Sequence, residues 1–270
     1  MFIVIQTNAP PPGKLLSRFN MVSLLLFALA ACAMLYWALP SSSSAASSAH
    51  LNLSLPAPAA HVIALDKSGI SGTAGAKTSD ASEISTTQSI VFAGGCFWGV
   101  QLVFQHTQGV LSAVSGYAGG QAADASYALV SSGASQHAEA VQVRYDPKQI
   151  SLAQLLHIYF SVVHDPTQLN RQHPDEGAQY RSAVFVSNDG QRQVAQAYID
   201  QLDTAKVLAT KIVTQISPLN GFYVAEPEHQ NYALRNPNAP YIAQFDAPKL
   251  VALKTRFAAL YSDQPAVAVP

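Results

Sequence analysis

Hydrophobic positions change their period several times along this chain, and the changes mark its elements. "SIVFAGG" (89–95) is a short apolar run closed by glycines and predicts a buried strand. Directly after it, Phe97, Val100, Val103 and Phe104 fall at helical spacing, so a helix begins at or near Cys96. "VLSAVSGYAGG" (110–120) and "EAVQVRYDP" (139–147) alternate as strands do, the second ended by Asp146-Pro147. "SLAQLLHIYFSVV" (151–163) predicts a helix with Ser151 as its N-cap, and "RSAVFVS" (181–187) a strand. "QRQVAQAYIDQLDTA" (191–205) predicts a helix after Asn188-Asp189-Gly190, and "KIVTQIS" (211–217) a further strand. Strands and helices mix without regular βαβ spacing. The expected fold is α+β, a two-layer sandwich with a mainly antiparallel, ferredoxin-like central sheet, and not a doubly wound one.

Before residue 88 the pattern differs. Lys14 and Arg18 precede an apolar run from Met21 to Leu39, close to the ~20 residues a helix needs to cross a bilayer. The positive charge ahead of it predicts that the N-terminus stays in the cytoplasm and the rest lies across the membrane. An uncleaved anchor, cleavage within "SSSSAASSA", and lipidation of Cys32 in "LAAC" are three competing outcomes. From Ser41 to Thr87 the chain is rich in Ser, Ala, Gly and Pro and reads as a flexible tether. The expected division is a charged region 1–19, a signal or anchor helix 20–39, a linker 40–87, a catalytic domain 88–255 and a tail 256–270. The catalytic domain is then periplasmic, or extracytoplasmic, at a bacterial inner membrane.

Composition narrows the chemistry. The formal net charge is −1 over 270 residues, with no basic block, so nucleic acid is not an expected partner. Two cysteines make no disulfide framework, and Cys32 lies in or at the membrane, a poor partner for Cys96. Cys96 therefore carries four readings: packing, a metal ligand, half of a disulfide, or a nucleophile. Scattered histidines without CxxC or HxxxH spacing argue against a metal. A cysteine at a helix N-terminus faces free backbone N–H groups that favour the reactive thiolate, and the flanking glycines leave the sulfur accessible. Packing explains a lone cysteine equally well on local sequence.

Seven motifs in one order decide the matter. "GGCFWG" (94–99), "SGYAGG" (115–120), "HAEAVQVRYDP" (137–147) and "HDPT" (164–167) are followed by "NRQHPDEGAQYRS" (170–182), "FYVAEPEHQNY" (222–232) and "NPN" (236–238). Together they resemble the type A peptide-methionine sulfoxide reductases over about residues 89 to 245. That resemblance implies reduction of methionine-S-sulfoxide, in proteins, peptides and the free amino acid, with no bound cofactor and no metal. It implies that Cys96 attacks the sulfoxide sulfur and becomes a sulfenic acid, and that Glu139 protonates the oxygen. Tyr127 and Tyr180 match tyrosines that bind that oxygen, Phe97 and Trp98 match the apolar seat of the methyl group, and Asp175 matches a supporting hydrogen-bonding residue. His229 is expected to help hold the site; Glu226 and Asn231, in the same stretch, are left unassigned.

Two departures stand out. The further cysteines that many relatives carry after "PY" are missing here; Ile242 occupies that place. An external thiol, thioredoxin- or glutaredoxin-like or small, is then the expected reductant, and the chain is expected to be a monomer. In addition, His173-Pro174 replaces a usual glycine and is expected to reshape the pocket edge. The competing reading is a thiol hydrolase or transferase in which His229 activates Cys96.

Overall fold

In the computed structural model, which describes residues 53–70 and 87–267, the apolar run before Cys96 becomes an inner strand of a six-stranded sheet. The strands are β1 (Gln88–Gly94), β2 (Val110–Ala118), β3 (Ala138–Tyr145), the short pair β4 (Arg171–Gln172) and β5 (Asp175–Glu176), β6 (Ser182–Val186), β7 (Gln215–Pro218) and β8 (Phe222–Val224). The helices are α1 (Ala60–Ile70), α2 (Phe97–Gln105), α3 (Tyr127–Ser131), α4 (Leu152–Ile158), α5 (Asp189–Ala205), α6 (Tyr232–Arg235) and α7 (Ala247–Arg256). A π-helical turn at Tyr159–Val163 prolongs α4.

The large sheet runs β7-β6-β1-β3-β2-β8, while β4 and β5 pair with each other. Its neighbours are antiparallel except β6 and β7, which are parallel. The sheet is therefore mixed, although mainly antiparallel as expected. The parallel pair arises because the 17-residue helix α5 carries the chain back to the end of the sheet where β6 began.

Pleating sorts the strands' side chains into two clusters. Ile90, Phe92, Val141, Val143 and Val184 join Val100, Val103 and Phe104 of α2, Leu155 of α4 and Tyr198 of α5 in the main core. Val91, Ala93, Ala118, Ala138, Ala140, Ala183 and Phe185 point the other way, and among the described residues Leu219 and Phe222 pack on them. The helices thus cover one face, which is the two-layer arrangement. Local signals hold where predicted. Ser151 forms a capping box with Gln154 at the start of α4, and Asn188 caps α5 by accepting from Gln191 N–H.

Two expectations need correction. Within the expected linker 40–87, residues 53–70 are ordered against the domain. Leu55 and Val62 are buried, Tyr198 Oη–H donates to Pro56 O at 2.8 Å, and Gln201 bonds both Ala57 O and Ala59 N–H. Asp66 accepts from Ala153 N–H at the start of α4. The reason is tertiary: the segment's apolar residues show no clear period, yet Leu55 and Val62 join the main core beside Tyr198 of α5. The described part of the expected tail, 256–267, is tied to the domain too, since Gln108 N–H, Ser262 N–H and Ala266 N–H bond Leu260, His106 and Gln105 carbonyls between it and the end of α2. The membrane helix expected at 20–39 lies outside the described residues. Among the described residues, no helix is long and apolar enough to cross a membrane.

Candidate active site

The site is built where β1 hands over to α2. Gly95 has φ +88°, which only glycine adopts without strain, and a Cβ there would lie 2.7 Å from Gln172 Cβ. Gln172 is held in turn, donating to Asp165 O and accepting from Asp165 N–H. The "HDPT" and "NRQ" motifs thereby wall the turn. Cys96 follows as the N-cap residue of α2 with extended backbone (φ −53°, ψ 124°).

Its sulfur is less open than the flanking glycines suggested, for Cys96 is only 9% exposed. Burial pushes the thiol's proton affinity well up; the charges of Glu139 and Asp246 add to this, and the Trp98 N–H opposes it. Burial thus opposes the help that the helix N-terminus is expected to give the thiolate. Desolvation of the anion outweighs the amides.

Glu139 lies on the helix-facing side of β3, two residues before Val141, and is 2% exposed. Its Oε2 accepts from Phe97 N–H at 3.0 Å, the first free amide of α2. Burial drives its pKa up from 4.5 to about 8, which the Phe97 bond tempers and the nearby Asp175 charge reinforces. At neutral pH the group is an acid with a proton to give.

Around this pair the predicted residues converge. Tyr127 and Tyr180 have hydroxyls made harder to ionise, chiefly by burial and then by the fields of Glu139, Asp175 and Cys96. They therefore stay O–H donors. Phe97 is fully buried, whereas Trp98 is half-buried and stacks on Tyr232 with ring centres 3.9 Å apart. Asp175 accepts a short hydrogen bond from Tyr241 Oη–H. His173-Pro174 forms the tip between β4 and β5, where the His173 ring meets Phe245.

His229 sits among rings, 4.2 Å from Tyr127 and 5.3 Å from Phe97, measured between centres. Its Nδ1 is buried without a hydrogen-bond partner, and burial lowers its basicity. Among the described residues it makes no hydrogen bond to Cys96. Nor does any group of three His, Cys, Asp or Glu among these residues stand ready for a metal. Ile242, where a second cysteine was sought, is buried with Leu102 and Ala233.

Several contributors were not apparent from sequence. Glu226 accepts from Tyr127 N–H at 2.9 Å and from Tyr117 Oη–H at 2.7 Å, and Tyr117 lies opposite Glu139 across β2 and β3. Gln230 copies a strand with its side-chain amide, accepting from Ser115 N–H and donating to Ser115 O and Ala225 O. Asn231 N–H donates to Gln101 of α2. The alternation of β2 is the signal that could have placed Tyr117 inward beside Glu139; no sequence signal marked Gln230.

A family model described as peptide methionine sulfoxide reductase matches residues 88–259. Peptide methionine sulfoxide reductase MsrA 2 of Mesorhizobium japonicum is 54% identical over 179 residues, covering 66% of this chain and 92% of that protein. The MsrA 2 of Synechocystis sp. is 47% identical over 189 residues, covering 68% and 86%. Among solved structures, reduced Mxr1 from Saccharomyces cerevisiae shares 33% identity at a TM-score of 0.52, covering 58% of this chain and 90% of its own.

Proposed function

The chain belongs to the peptide methionine sulfoxide reductase family, oxidoreductases that reduce methionine sulfoxide, and from that premise we propose how this site does so. Cys96 attacks the sulfoxide sulfur as Glu139 delivers its proton to the sulfoxide oxygen, and the thiol proton of Cys96 restores Glu139. One oxygen passes from methionine sulfoxide to Cys96, leaving methionine and a cysteine sulfenic acid, so atoms and charge balance. The observation that carries this reading is the buried, readily protonated Glu139 carboxyl on the first amide of the helix that Cys96 caps. General acid catalysis needs a group with a pKa near the working pH, and about 8 serves.

Tyr127 and Tyr180 donate to the oxygen, and Phe97 and Trp98 seat the methyl group. Asp175, bonded to Tyr241, steadies the rim. The substrate is the S epimer, in proteins and peptides and as the free amino acid, and the function is repair. A thiol, either a thioredoxin- or glutaredoxin-like protein or a small molecule, attacks the sulfenic acid, expelling water and forming a mixed disulfide. A second thiol then releases Cys96. An extracytoplasmic setting, with the chain held at the membrane by residues 20–39, is supported by Lys14 and Arg18 ahead of the apolar run.

The test is the full chain with dithiothreitol and each epimer of methionine sulfoxide. Consumption of the S epimer alone is expected. Activity on neither epimer, or on the R epimer alone, overturns the proposal.

A further inference from the structure

Asp246 is a buried carboxylate that the mechanism above does not use. It is 0% exposed, its Oδ1 accepts from Lys249 Nζ at 3.1 Å, and its Oδ2 is buried with no hydrogen-bond partner. A buried charge with half its capacity unsatisfied is destabilising and calls for an explanation. Its location supplies one. A Cβ on Gly99 would lie 2.0 Å from Asp246 Oδ1 and 2.8 Å from Lys249 Nζ, so the ion pair rests against the backbone of the first turn of α2. This is why the sixth residue of "GGCFWG" is a glycine.

Three acidic groups therefore crowd one helix N-terminus, which offers only the few unpaired amides of its first turn. Phe97 N–H goes to Glu139, Trp98 N–H favours the Cys96 sulfur, and Asp246 lies at Gly99. The remaining charged or titratable groups that bear on the site are Asp175 and His173 from the hairpin, Tyr127 and Tyr180, Tyr241 and Lys249 from the C-terminal segment, and Glu226 with His229. Only Asp246 combines full burial with a place directly against the catalytic turn and no part in substrate contact.

We propose that Asp246, held by Lys249 against Gly99, is a positioning residue that acts through the N-terminus of α2 to keep Cys96 protonated until a sulfoxide enters. Burial raises the Asp246 carboxyl's proton affinity and Lys249 opposes this, and the negative charge that Lys249 holds behind the turn opposes a second one on the sulfur. The resting enzyme is thereby shielded from oxidants that attack thiolates, and ionisation is left to the moment when Glu139 gives up its proton to substrate. The inference deepens the proposed mechanism, but its test does not depend on sulfoxide turnover.

The experiment follows alkylation of Cys96 by iodoacetamide against pH in the full chain, read on the Cys96 peptide so that Cys32 does not contribute. Asp246→Asn keeps an acceptor for Lys249 and removes the charge. The midpoint is expected to fall by half a unit or more, about a threefold rise in thiolate at a fixed pH below it. If asparagine does not pack, Asp246→Ser is smaller and equally neutral. A folded neutral variant with the wild-type midpoint overturns the proposal, because a merely structural role would change stability and leave the profile alone. Sulfoxide reduction by the same variants is scored separately, so failure of the reductase reading would appear there and not in the alkylation curve.

Discussion

Glu139 shows how one side chain links position, energy and chemistry. Alternation along β3 turns it toward the helix layer, and there only the Phe97 amide offsets its burial. Its carboxyl is ordinarily half-protonated at 4.5 and here at about 8, so the folded state holds a proton that the unfolded chain releases between those values. Stability therefore declines as pH rises through that window, by on the order of 5 kcal/mol in total. Glu139→Gln, which cannot ionise, is expected to raise the urea midpoint at pH 9 and to leave it nearly unchanged at pH 4. The same substitution should slow sulfenic acid formation by roughly 10²- to 10⁴-fold, and the wild-type rate should fall as pH climbs past 8. A variant with unchanged single-turnover rates would remove Glu139 from the acid role. Cys96, Glu139 and Tyr180 could be proposed from the sequence because each lies inside a local motif. Asp246 was not, because its partner Gly99 is 147 residues away in the chain and nothing near "FDAPK" announces a buried charge.

At the scale of elements, the segment from Glu226 to Asn231 acts as a splint between β2 and α2. Gln230 occupies the hydrogen-bonding positions a strand would use on Ser115, and Glu226 and His229 from the same turn hold the backbone and ring of Tyr127. Gln230→Ala would leave the buried Ser115 N–H unpaired, at ~1–3 kcal/mol, while Ser115 O keeps its bond from Ala225 N–H. The expected outcome is a lower thermal midpoint together with a raised KM for sulfoxide, since Tyr127 loses its support; a lowered midpoint with KM unchanged would confine the splint to stability. Elements with strong periodicity or caps, such as α2, α4 and α5, could be read directly from sequence. Helix α1 could not, since Val62 and Leu55 are too few to set a period and become meaningful only when α5 covers them. A chain begun at Gln88 should therefore unfold at lower urea, because burial of these two side chains alone contributes ~1.5–3 kcal/mol each, while Cys96 alkylation stays as in the full chain. Equal urea midpoints would show that residues 53–70 add nothing.

Over the whole molecule the decisive quantity is the number of thiols that can reach one another. Among the described residues Cys96 is the only cysteine, and the chain's other one, Cys32, belongs to the apolar N-terminal run. The place after Pro240-Tyr241 is closed as well, for Ile242 is 1% exposed and packed on Leu102 of α2 and Ala233 of α6. That segment holds Tyr241 on Asp175 and Asp246 on Gly99. On the proposed mechanism a sulfenic acid formed at Cys96 would wait for a thiol from outside, and the reaction would stop at the first half when none is supplied. Mixing excess methionine-S-sulfoxide with the reduced full chain and no thiol should release one methionine per chain and leave Cys96 trappable as sulfenic acid by dimedone. Adding a thiol should restart turnover, and Cys32→Ser should change neither the stoichiometry nor the restart. A Cys32–Cys96 disulfide found by mass spectrometry in the oxidised chain would overturn the one-thiol scheme, because the enzyme would then carry its own resolving cysteine.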